Sequence, residues 1–230
     1  MIKLFLLLLI LPQSLFALTL REIRTEVRTL MTVKGEMGTN LYNNYLTSII
    51  NEGQRQAVIE NRPIIKSSQT LLSVGTTFYV LPSDFLQMSR VSLNYDVLDE
   101  VTPEALDKTD GWQETGSLPT HYFINFATRT KIGMYPFPSS SSSTGTLRYD
   151  YFAMAQDLSA DADVPFNGIT EMAPYHYMLV YFTAARVAIM DGRDGLATYF
   201  LTEYRAGMER MKNEAKSRPS YRPGASARRE

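Results

Sequence analysis

The chain has 230 residues, of which 44% are hydrophobic, and its 23 basic and 24 acidic residues give a net charge of −1. A chain of this length and composition can bury one good core, so we expect one compact unit with at most a subsidiary lobe. The near-zero charge excludes recruitment of nucleic acid or an anionic membrane by a global field. The absence of cysteine excludes disulfide frameworks, thiolate nucleophiles and thiolate metal sites.

Residues 1–17 resemble a secretory signal, with a basic Lys3, an apolar run over residues 4–11 and a small Ala17 at a cleavage position. A signal peptide is favoured, although Leu15 is a poor residue for that cleavage motif. The alternatives are a misassigned start and an apolar contact arm. The run is too short to span a bilayer, which needs about 20 apolar residues, so no stable membrane span is predicted.

Two amphipathic helices are predicted in the first quarter of the chain. Thr19 and Glu22 form a capping box at the start of the first helix. Its apolar stripe, at spacings of three and four, is Leu20, Ile23, Val27, Leu30 and Met31. Thr39 or Asn40 caps the second helix. The stripe of the second helix is Leu41, Tyr42, Tyr45, Leu46, Ile49, Ile50 and Ala57. Gly53 lies inside this helix at a cost in stability, which indicates close packing against a neighbour.

Between residues 64 and 155 the sequence changes to β-branched and aromatic runs separated by turn residues, which is typical of strands and hairpins. The predicted strands are residues 70–73, 76–81, 87–95, 121–127, 131–135 and 146–152. Thr102 and Pro103 are predicted to be the cap and the first residue of a short helix that ends near Asp107. The serine run at residues 139–143 indicates a flexible loop tip.

Two further helices are predicted near the C-terminal end. Thr170 caps the first, which is apolar on more than one side and is therefore expected to be buried centrally or between subunits. Gly192 ends this helix, and Asp194 begins the last one. The apolar stripe of the last helix is Leu196, Tyr199, Phe200, Tyr204, Met208 and Met211. After Lys216 the sequence is too rich in proline and arginine to fold by itself, so residues 217–230 are predicted to form an extended basic tail.

This tail carries its aromatic and basic side chains at Arg218, Tyr221, Arg222, Arg228 and Arg229. Residues of these types bind phosphates and stack on bases, dock into an acidic or grooved protein partner, or only increase solubility. Nucleic acid is disfavoured because no folded basic surface accompanies the tail. Protein docking and a solubilising role both stay open from the residues alone.

No recognised catalytic motif occurs in the chain. His121 and His176 lack metal-ligand spacing, so each is interpreted as structural. No nucleophile elbow, P-loop, dinucleotide fingerprint or zinc-binding helix motif is found. Carboxylates cluster at Asp96, Asp99, Glu100, Glu104, Asp107 and Asp110, and again at Asp157, Asp161 and Asp163. Solvated turns explain them better than an acid and base pair or a cation site, since calcium-loop spacing is missing. A hydrolase that uses the first cluster is one alternative, but no catalytic, cofactor or metal residue is predicted.

A longer pattern runs through the middle of the chain. It starts with Phe-Tyr-Val-Leu-Pro-Ser-Asp-Phe at residues 78–85 and continues past the short helix to the Tyr-Pro-x-Pro of residues 135–138. It then includes Leu-x-Tyr-x-Tyr at residues 147–151 and Asp-Ala-Asp-Val-Pro-Phe at residues 161–166. Its defining residues are Leu81, Pro82, Asp84, Phe85, Trp112, Gly116, Pro119, Tyr122, Tyr135, Pro136 and Pro138. These residues suit a scaffold. Pro82 ends a strand, Asp84 can bond backbone donors beyond it, and Trp112 can cover a small β lobe.

In order and spacing, this pattern resembles the adaptor, or head-tail connector, proteins of tailed bacteriophages, over residues 18–216. The resemblance implies an α+β fold, mainly α, with a helical bundle core of about four helices, a β-rich insertion and an extended C-terminal tail. The helical core would comprise residues 18–62 and 170–216, and the insertion residues 64–155. Residues 1–17 have no counterpart in the pattern.

Such adaptors form rings, usually dodecameric, that lie beneath the portal of a filled capsid, extend the DNA channel and offer a platform for the tail. The resemblance therefore implies a structural, non-enzymatic protein of the virion neck that assembles in the host cytoplasm and uses no cofactor. Its partners would be further copies of itself, the portal protein and a tail or nozzle protein, with DNA passing through the lumen without sequence recognition. The basic tail would reach into the portal, and the charged faces of the β lobe would meet the next tail component. An exported periplasmic or extracellular binding module is the alternative that the leader favours.

Overall fold

A computed structural model of the chain describes residues 17–33, 43–108, 115–116, 118–125, 129–138 and 145–217. Helices and short strands both occur, with helices in the majority, so the predicted α+β, mainly α class is confirmed. The leader before Ala17, the serine run and the basic tail from Arg218 onward lie outside the described residues.

The described residues belong to two compact units. The first, which we call the helical unit, lies within residues 1–61 and 155–215, and the second, the β unit, contains residues 62–154. The helices of the helical unit are α1 (Leu20–Val33), α2 (Asn43–Asn61), α4 (His176–Met190) and α5 (Asp194–Ser217). Helix α5 includes Ser217, which the sequence had assigned to the tail.

The capping box at the start of α1 is confirmed. The backbone N–H of Thr19 donates to Oε2 of Glu22 at 2.7 Å, and the N–H of Glu22 donates back to Oγ1 of Thr19 at 3.3 Å. The bonds that the N–H and the hydroxyl of Thr19 donate to this carboxylate lower the pKa of Glu22. The next two amides, of Leu20 and Arg21, donate to the carbonyls of Asp163 and Asp161. The first turn of α1 therefore has partners for donors that a helix end would otherwise leave free.

Helix α4 lies at the centre of the helical unit and packs against both α1 and α2. Its buried residues are His176, Met178, Leu179, Val180, Phe182, Thr183, Ala184, Ala185, Val187 and Ala188. These positions cover every side of the helix, which explains why its sequence is apolar on more than one face. The prediction that this helix is buried is confirmed within a single copy of the chain.

The predicted helix start at Thr170 is wrong. Residues Thr170–Tyr175 form a 3₁₀-helix with no side-chain cap, and α4 begins only at His176. Pro174 explains the difference because an α-helix capped at Thr170 would need the N–H of residue 174, which proline lacks. The predicted end of α4 at Gly192 is confirmed, since that glycine has a φ of 67°.

The described residues of the β unit form two four-stranded sheets and one two-stranded ladder. The first sheet has the order β1 (Ile65–Leu71), β10 (Thr146–Ala153), β3 (Phe85–Leu93) and β4 (Asp96–Val97). The second has the order β2 (Phe78–Val80), β8 (Lys131–Tyr135), β7 (His121–Ile124) and β5 (Asp99–Glu100). Strands β6 (Thr115–Gly116) and β9 (Phe137–Pro138) form the ladder. The pairs β5–β7 and β6–β9 are parallel, and the other pairs are antiparallel.

Several strand bounds differ from the prediction. The first strand was predicted at residues 70–73 but runs over Ile65–Leu71. It reads Ile-Lys-Ser-Ser-Gln-Thr-Leu, so only its ends are apolar and the alternation that signals a half-buried strand is absent. Strand β3 begins two residues earlier than predicted, β7 stops at Ile124, and the two-residue strands were not predicted.

The short helix of the β unit, α3, spans Pro103–Leu106. Oγ1 of Thr102 accepts a hydrogen bond from the N–H of Ala105 at 3.3 Å, so the predicted cap and the predicted proline at the first position are both confirmed. Leu106 at the end of the helix is buried with Phe123 and Phe137. This small cluster anchors α3 to β7 and β9.

Candidate functional site

The pattern residues of the β unit are those that the sequence predicts to serve as scaffold. Leu81 is buried, and its N–H donates to the carbonyl of Thr130 at 2.8 Å. The carbonyl of Pro82 accepts from the N–H of Phe85 at 3.0 Å, which closes the turn from β2 into β3. The first part of the pattern therefore fixes the connection between the two sheets.

Asp84 lies in that turn and holds three parts of the β unit together. Its carboxylate accepts from Nζ of Lys66 at 2.6 Å and from the hydroxyl of Tyr151 at 3.0 Å, and its carbonyl accepts from the N–H of Met154 at 2.7 Å. The sequence had predicted backbone donors beyond Asp84 as the partners of the carboxylate, whereas the structure pairs it with side chains of β1 and β10. The ring of Phe85 lies 5.9 Å from that of Tyr151.

The charge of Asp84 is stabilised by these contacts. Burial alone would raise the pKa of Asp84, but the bonds from Lys66 and Tyr151 and the charge of Lys66 outweigh it, so the pKa lies below its usual range. Burial and Asp84 raise the pKa of Tyr151 to about 12. At neutral pH, Tyr151 is therefore a protonated donor to a charged carboxylate.

The later pattern residues also form internal contacts. The hydroxyl of Tyr122 donates to Oε2 of Glu100 at 3.4 Å, and burial is the largest cause of the raised pKa of Tyr122. Pro119 is buried, and a cis peptide joins Tyr135 to Pro136. Gly116 pairs with Pro138, whose carbonyl accepts from the N–H of Gly75 at 3.1 Å. Trp112, the remaining pattern residue, lies outside the described residues.

The five tail residues named for partner binding also lie outside the described residues, so their role stays a prediction. They are Arg218, Tyr221, Arg222, Arg228 and Arg229.

His176 is fully buried at the start of α4. Its Nδ1 accepts the N–H of Leu18 at 2.9 Å, so in the neutral ring the proton lies on Nε2. Burial lowers the pKa of His176 to about 4, against the smaller opposing effect of the bond from Leu18. The ring of Phe166 lies 5.9 Å away. This histidine joins the residue ahead of α1 to α4, which is the structural role that the sequence predicted.

The first carboxylate cluster is exposed where the structure describes it. Asp96, Asp99, Glu100, Glu104 and Asp107 are all at the surface, and Asp110 lies outside the described residues. In the second group, Asp157 pairs with Arg55 and Asp161 with Arg24. The carboxylate of Asp163 accepts from the amides of Ser159 and Ala160. Across the described part of the chain, no three histidines or carboxylates group closely enough to hold a metal ion.

Exposed apolar side chains provide a second class of candidate positions. On the helical unit, Tyr45, Ile189 and Met190 are 37%, 47% and 64% exposed, and the hydroxyl of Tyr45 contacts Sδ of Met190. We call these three residues the α2–α4 patch. Sequence periodicity had assigned Tyr45 to the core stripe of α2, and likewise Tyr199 to that of α5, although Tyr199 is 52% exposed. Periodicity identifies the apolar side of a helix. It does not reveal which residues on that side are buried by neighbouring elements.

The order of elements from α1 to the basic tail is also recognised as a whole. The model of one protein family, the SU10 adaptor protein, matches residues 18–228. The chain belongs to this family. It is a phage head-tail adaptor family, so the resemblance found in the sequence is confirmed, and the chain has the structural role of a phage adaptor. The match begins one residue after Ala17, so the leader is not part of it.

No curated protein matches the chain. Of the helices in the described part of the adaptor, none is long and apolar enough to cross a membrane.

Proposed function

We propose that this adaptor forms a ring, with twelve copies expected, beneath the portal of the capsid. The ring extends the DNA channel and joins the portal to the tail. The family match over residues 18–228 is the observation that carries this proposal, because it includes both units and nearly all of the basic tail. The chain acts through interfaces and carries out no reaction of its own.

The α2–α4 patch supports a subunit contact in the helical unit. Its apolar centre of Tyr45, Ile189 and Met190 is accompanied on the same two helices by the exposed ion pair of Arg186 with Glu52. An apolar centre with a polar surround is the usual anatomy of a protein interface. A closed ring needs two different surfaces on each copy, and this patch is proposed as one of them.

The basic tail is proposed to dock into the portal. It follows α5 directly and carries Arg218, Arg222, Arg228 and Arg229. Arginine-rich segments with proline do not fold alone but gain order on an acidic partner, where each guanidinium can form bidentate bonds with carboxylates. A tail of this kind can reach a site at some distance from the folded units.

The β unit is proposed to meet the next tail component. The outer face of the sheet β1–β10–β3 is polar and lines an open depression with Ser67, Arg90, Arg148 and Asp150 among its residues. The guanidinium of Arg148 lies 4.9 Å from the ring centre of Tyr95, which is 76% exposed. Arginine stacked on an exposed tyrosine is a common anchor of protein interfaces.

Imaging of purified virions by cryo-electron microscopy, with the chain labelled at its C-terminus, tests the proposal. The expected result is a ring of density for this chain directly beneath the portal. Absence of the chain from virions, or its presence at another site, would show that the proposal is wrong. The same images give the number of copies in the ring.

Docking of the tail is tested by mixing portal rings with the full chain and with a variant that carries alanine at the five tail residues named above. The variant should lose most of its affinity for the portal ring. The control replaces exposed basic residues of α5, Arg205 and Lys212, by alanine and should bind normally. Equal binding by all three chains would contradict tail docking but would not contradict the proposal that the chain forms a ring.

A further inference from the structure

Strand β1 forms an open edge of the first sheet. It pairs with β10 on one side, and no strand among the described residues pairs with its other side. Just beyond its ends, the N–H of Ala153 donates to the carbonyl of Ile64 and the N–H of Leu72 donates to the carbonyl of Gly145, so even-numbered residues of this segment bond to the β10 side. Because pairing alternates along an antiparallel ladder, the odd-numbered residues of β1 direct their N–H and C=O groups outward. These are Ile65, Ser67, Gln69 and Leu71.

This edge has only one of the features that usually protect an exposed strand, a single lysine. Natural edges are kept short or carry proline, bulges or charged side chains, especially lysine, that prevent pairing with another chain. Strand β1 has seven residues and no proline, and its register with β10 is continuous. Its one charged residue, Lys66, is bound to Asp84. Apolar side chains stand exposed at both ends, with Ile65 56% and Leu71 71% accessible.

We propose that β1 pairs antiparallel with β1 of a second copy, about a two-fold axis at Ser68. In that register, Ile65 of one copy lies opposite Leu71 of the other, and Ser67 lies opposite Gln69. The odd-numbered residues therefore face each other as hydrogen-bonded pairs, which is the geometry that their outward backbone groups require. The two first sheets join into one continuous sheet.

The side chains favour this partner and this register. The pairing covers the exposed ends, because each Ile65 meets a Leu71, and it sets polar residues against polar ones between them. Lys66 lies opposite Thr70, so no like charges meet. Moving the register by two residues would put Ile65 opposite Gln69 and leave an apolar end uncovered. The chain's own basic tail is a poor alternative, since Pro219 and Pro223 cannot donate to a ladder.

This contact goes beyond the proposed ring. A two-fold pair uses the same surface on both copies, whereas the contacts around a ring use two different surfaces. The β1 pair is therefore a separate interface of the free adaptor, and its presence or absence does not decide whether the ring forms.

The chain contains no cysteine, so one introduced thiol reports the register directly. Ser68 would face its own counterpart in a non-hydrogen-bonded pair, with Cα atoms about 4.5 Å apart, which is within the range that a disulfide spans. Ser68→Cys in the full chain should therefore give a disulfide-linked dimer under mild oxidation. The control is Ser67→Cys. In the proposed register Ser67 lies opposite Gln69, so the introduced thiols of the two copies are offset from each other along the strands. No cross-link from Ser68→Cys, or an equal yield from both variants, would overturn the proposal.

Sedimentation of the full chain with no introduced cysteine provides an independent measurement of dimer formation. Leu71→Lys puts a charge against Ile65 of the second copy and should weaken dimer formation by about tenfold or more. Val80→Lys on β2 is the matched control, since Val80 is 73% exposed and lies on the other sheet. A dimer that both variants weaken equally, or a wild-type chain that stays monomeric throughout a concentration series, would overturn the proposal.

Discussion

Gly53 on α2 faces the ring of Phe182 on α4 so closely that a side chain has no room, because a Cβ on residue 53 would lie 2.6 Å from Cδ1 of Phe182. The glycine thus lets two helices of the helical unit approach. This is the close packing that a glycine inside a helix predicts, and the contact confirms it.

Gly53→Ala should destabilise the protein even though alanine is the better helix former. Alanine improves helix propensity by about 1 kcal/mol, but overpacking against Phe182 costs about 1 to 3 kcal/mol. We therefore expect a lower free energy of unfolding, measured by chemical denaturation. The control is Gly195→Ala in α5, where no atom lies within 4 Å of the added Cβ and stability should stay the same or rise. A stabilised Gly53→Ala would contradict the close contact.

Gln54→Met tests a buried amide one residue further along. Gln54 is fully buried; its Nε2 donates to the carbonyl of Gln156 at 2.8 Å, and its Oε1 accepts the N–H of Phe166 at 2.7 Å. Methionine fills a similar volume but leaves both backbone groups without this partner, so stability should fall by about 2 to 4 kcal/mol. Gln56→Met on the exposed side of α2 is the control and should change the free energy of unfolding by less than about 0.5 kcal/mol.

Local signals in the sequence predicted the elements whose causes are local. The capping box at Thr19 and Glu22 and the Thr102–Pro103 helix start each depend on residues a few positions apart, and both are confirmed. The role of Gln54 depends on Gln156, which is 102 residues away in the chain, so no helical pattern reveals it. Periodicity alone would have put a polar residue at that position on the surface.

The pattern residues also divide into those whose contacts are local in sequence and were predicted, and those whose contacts are distant and were not. Pro82 ends a strand as predicted, but the partners of Asp84 come from β1 and β10, and strand pairing of that kind is not visible in the spacing of residues. Strand β1 itself was misjudged because an edge strand need not alternate apolar and polar residues. The exposure of Tyr45 depends on how α4 packs against α2, which is a tertiary property.

Stability should depend on His176 between pH 4 and 6.5. An unfolded histidine titrates near 6.5, whereas burial lowers the pKa of His176 to about 4, so the unfolded chain binds more protons in this window. The contribution is fully present above pH 6.5 and is lost as the pH falls toward 4, by about 3 kcal/mol in total. His176→Asn should flatten this part of the curve. An unchanged slope in His176→Asn would refute the assignment.

Asp84 and Tyr151 should be energetically coupled. The hydroxyl of Tyr151 donates to a charged carboxylate at 3.0 Å, and hydrogen bonds to charged groups contribute about 1.5 to 3 kcal/mol. A double-mutant cycle with Asp84→Ala and Tyr151→Phe should therefore give a coupling free energy of at least about 1 kcal/mol. Asp96→Ala, on exposed β4, replaces Asp84→Ala in the control cycle and should give no coupling with Tyr151→Phe. Independent effects of the Asp84 and Tyr151 substitutions would contradict the network.

The α2–α4 patch should matter for assembly and not for folding. Met190 is 64% exposed, so Met190→Lys should leave the free energy of unfolding within about 0.5 kcal/mol of wild type. At a subunit contact the same change buries an unpaired charge, and the loss of about 2 kcal/mol lowers subunit affinity about thirtyfold. Incorporation of the variant into virions, compared by quantitative blotting with Ile59→Lys at a site that is 51% exposed, measures the effect. Incorporation of both variants at the wild-type level would remove the patch from the ring contact, because an exposed apolar residue that tolerates a charge during assembly is not covered by another copy.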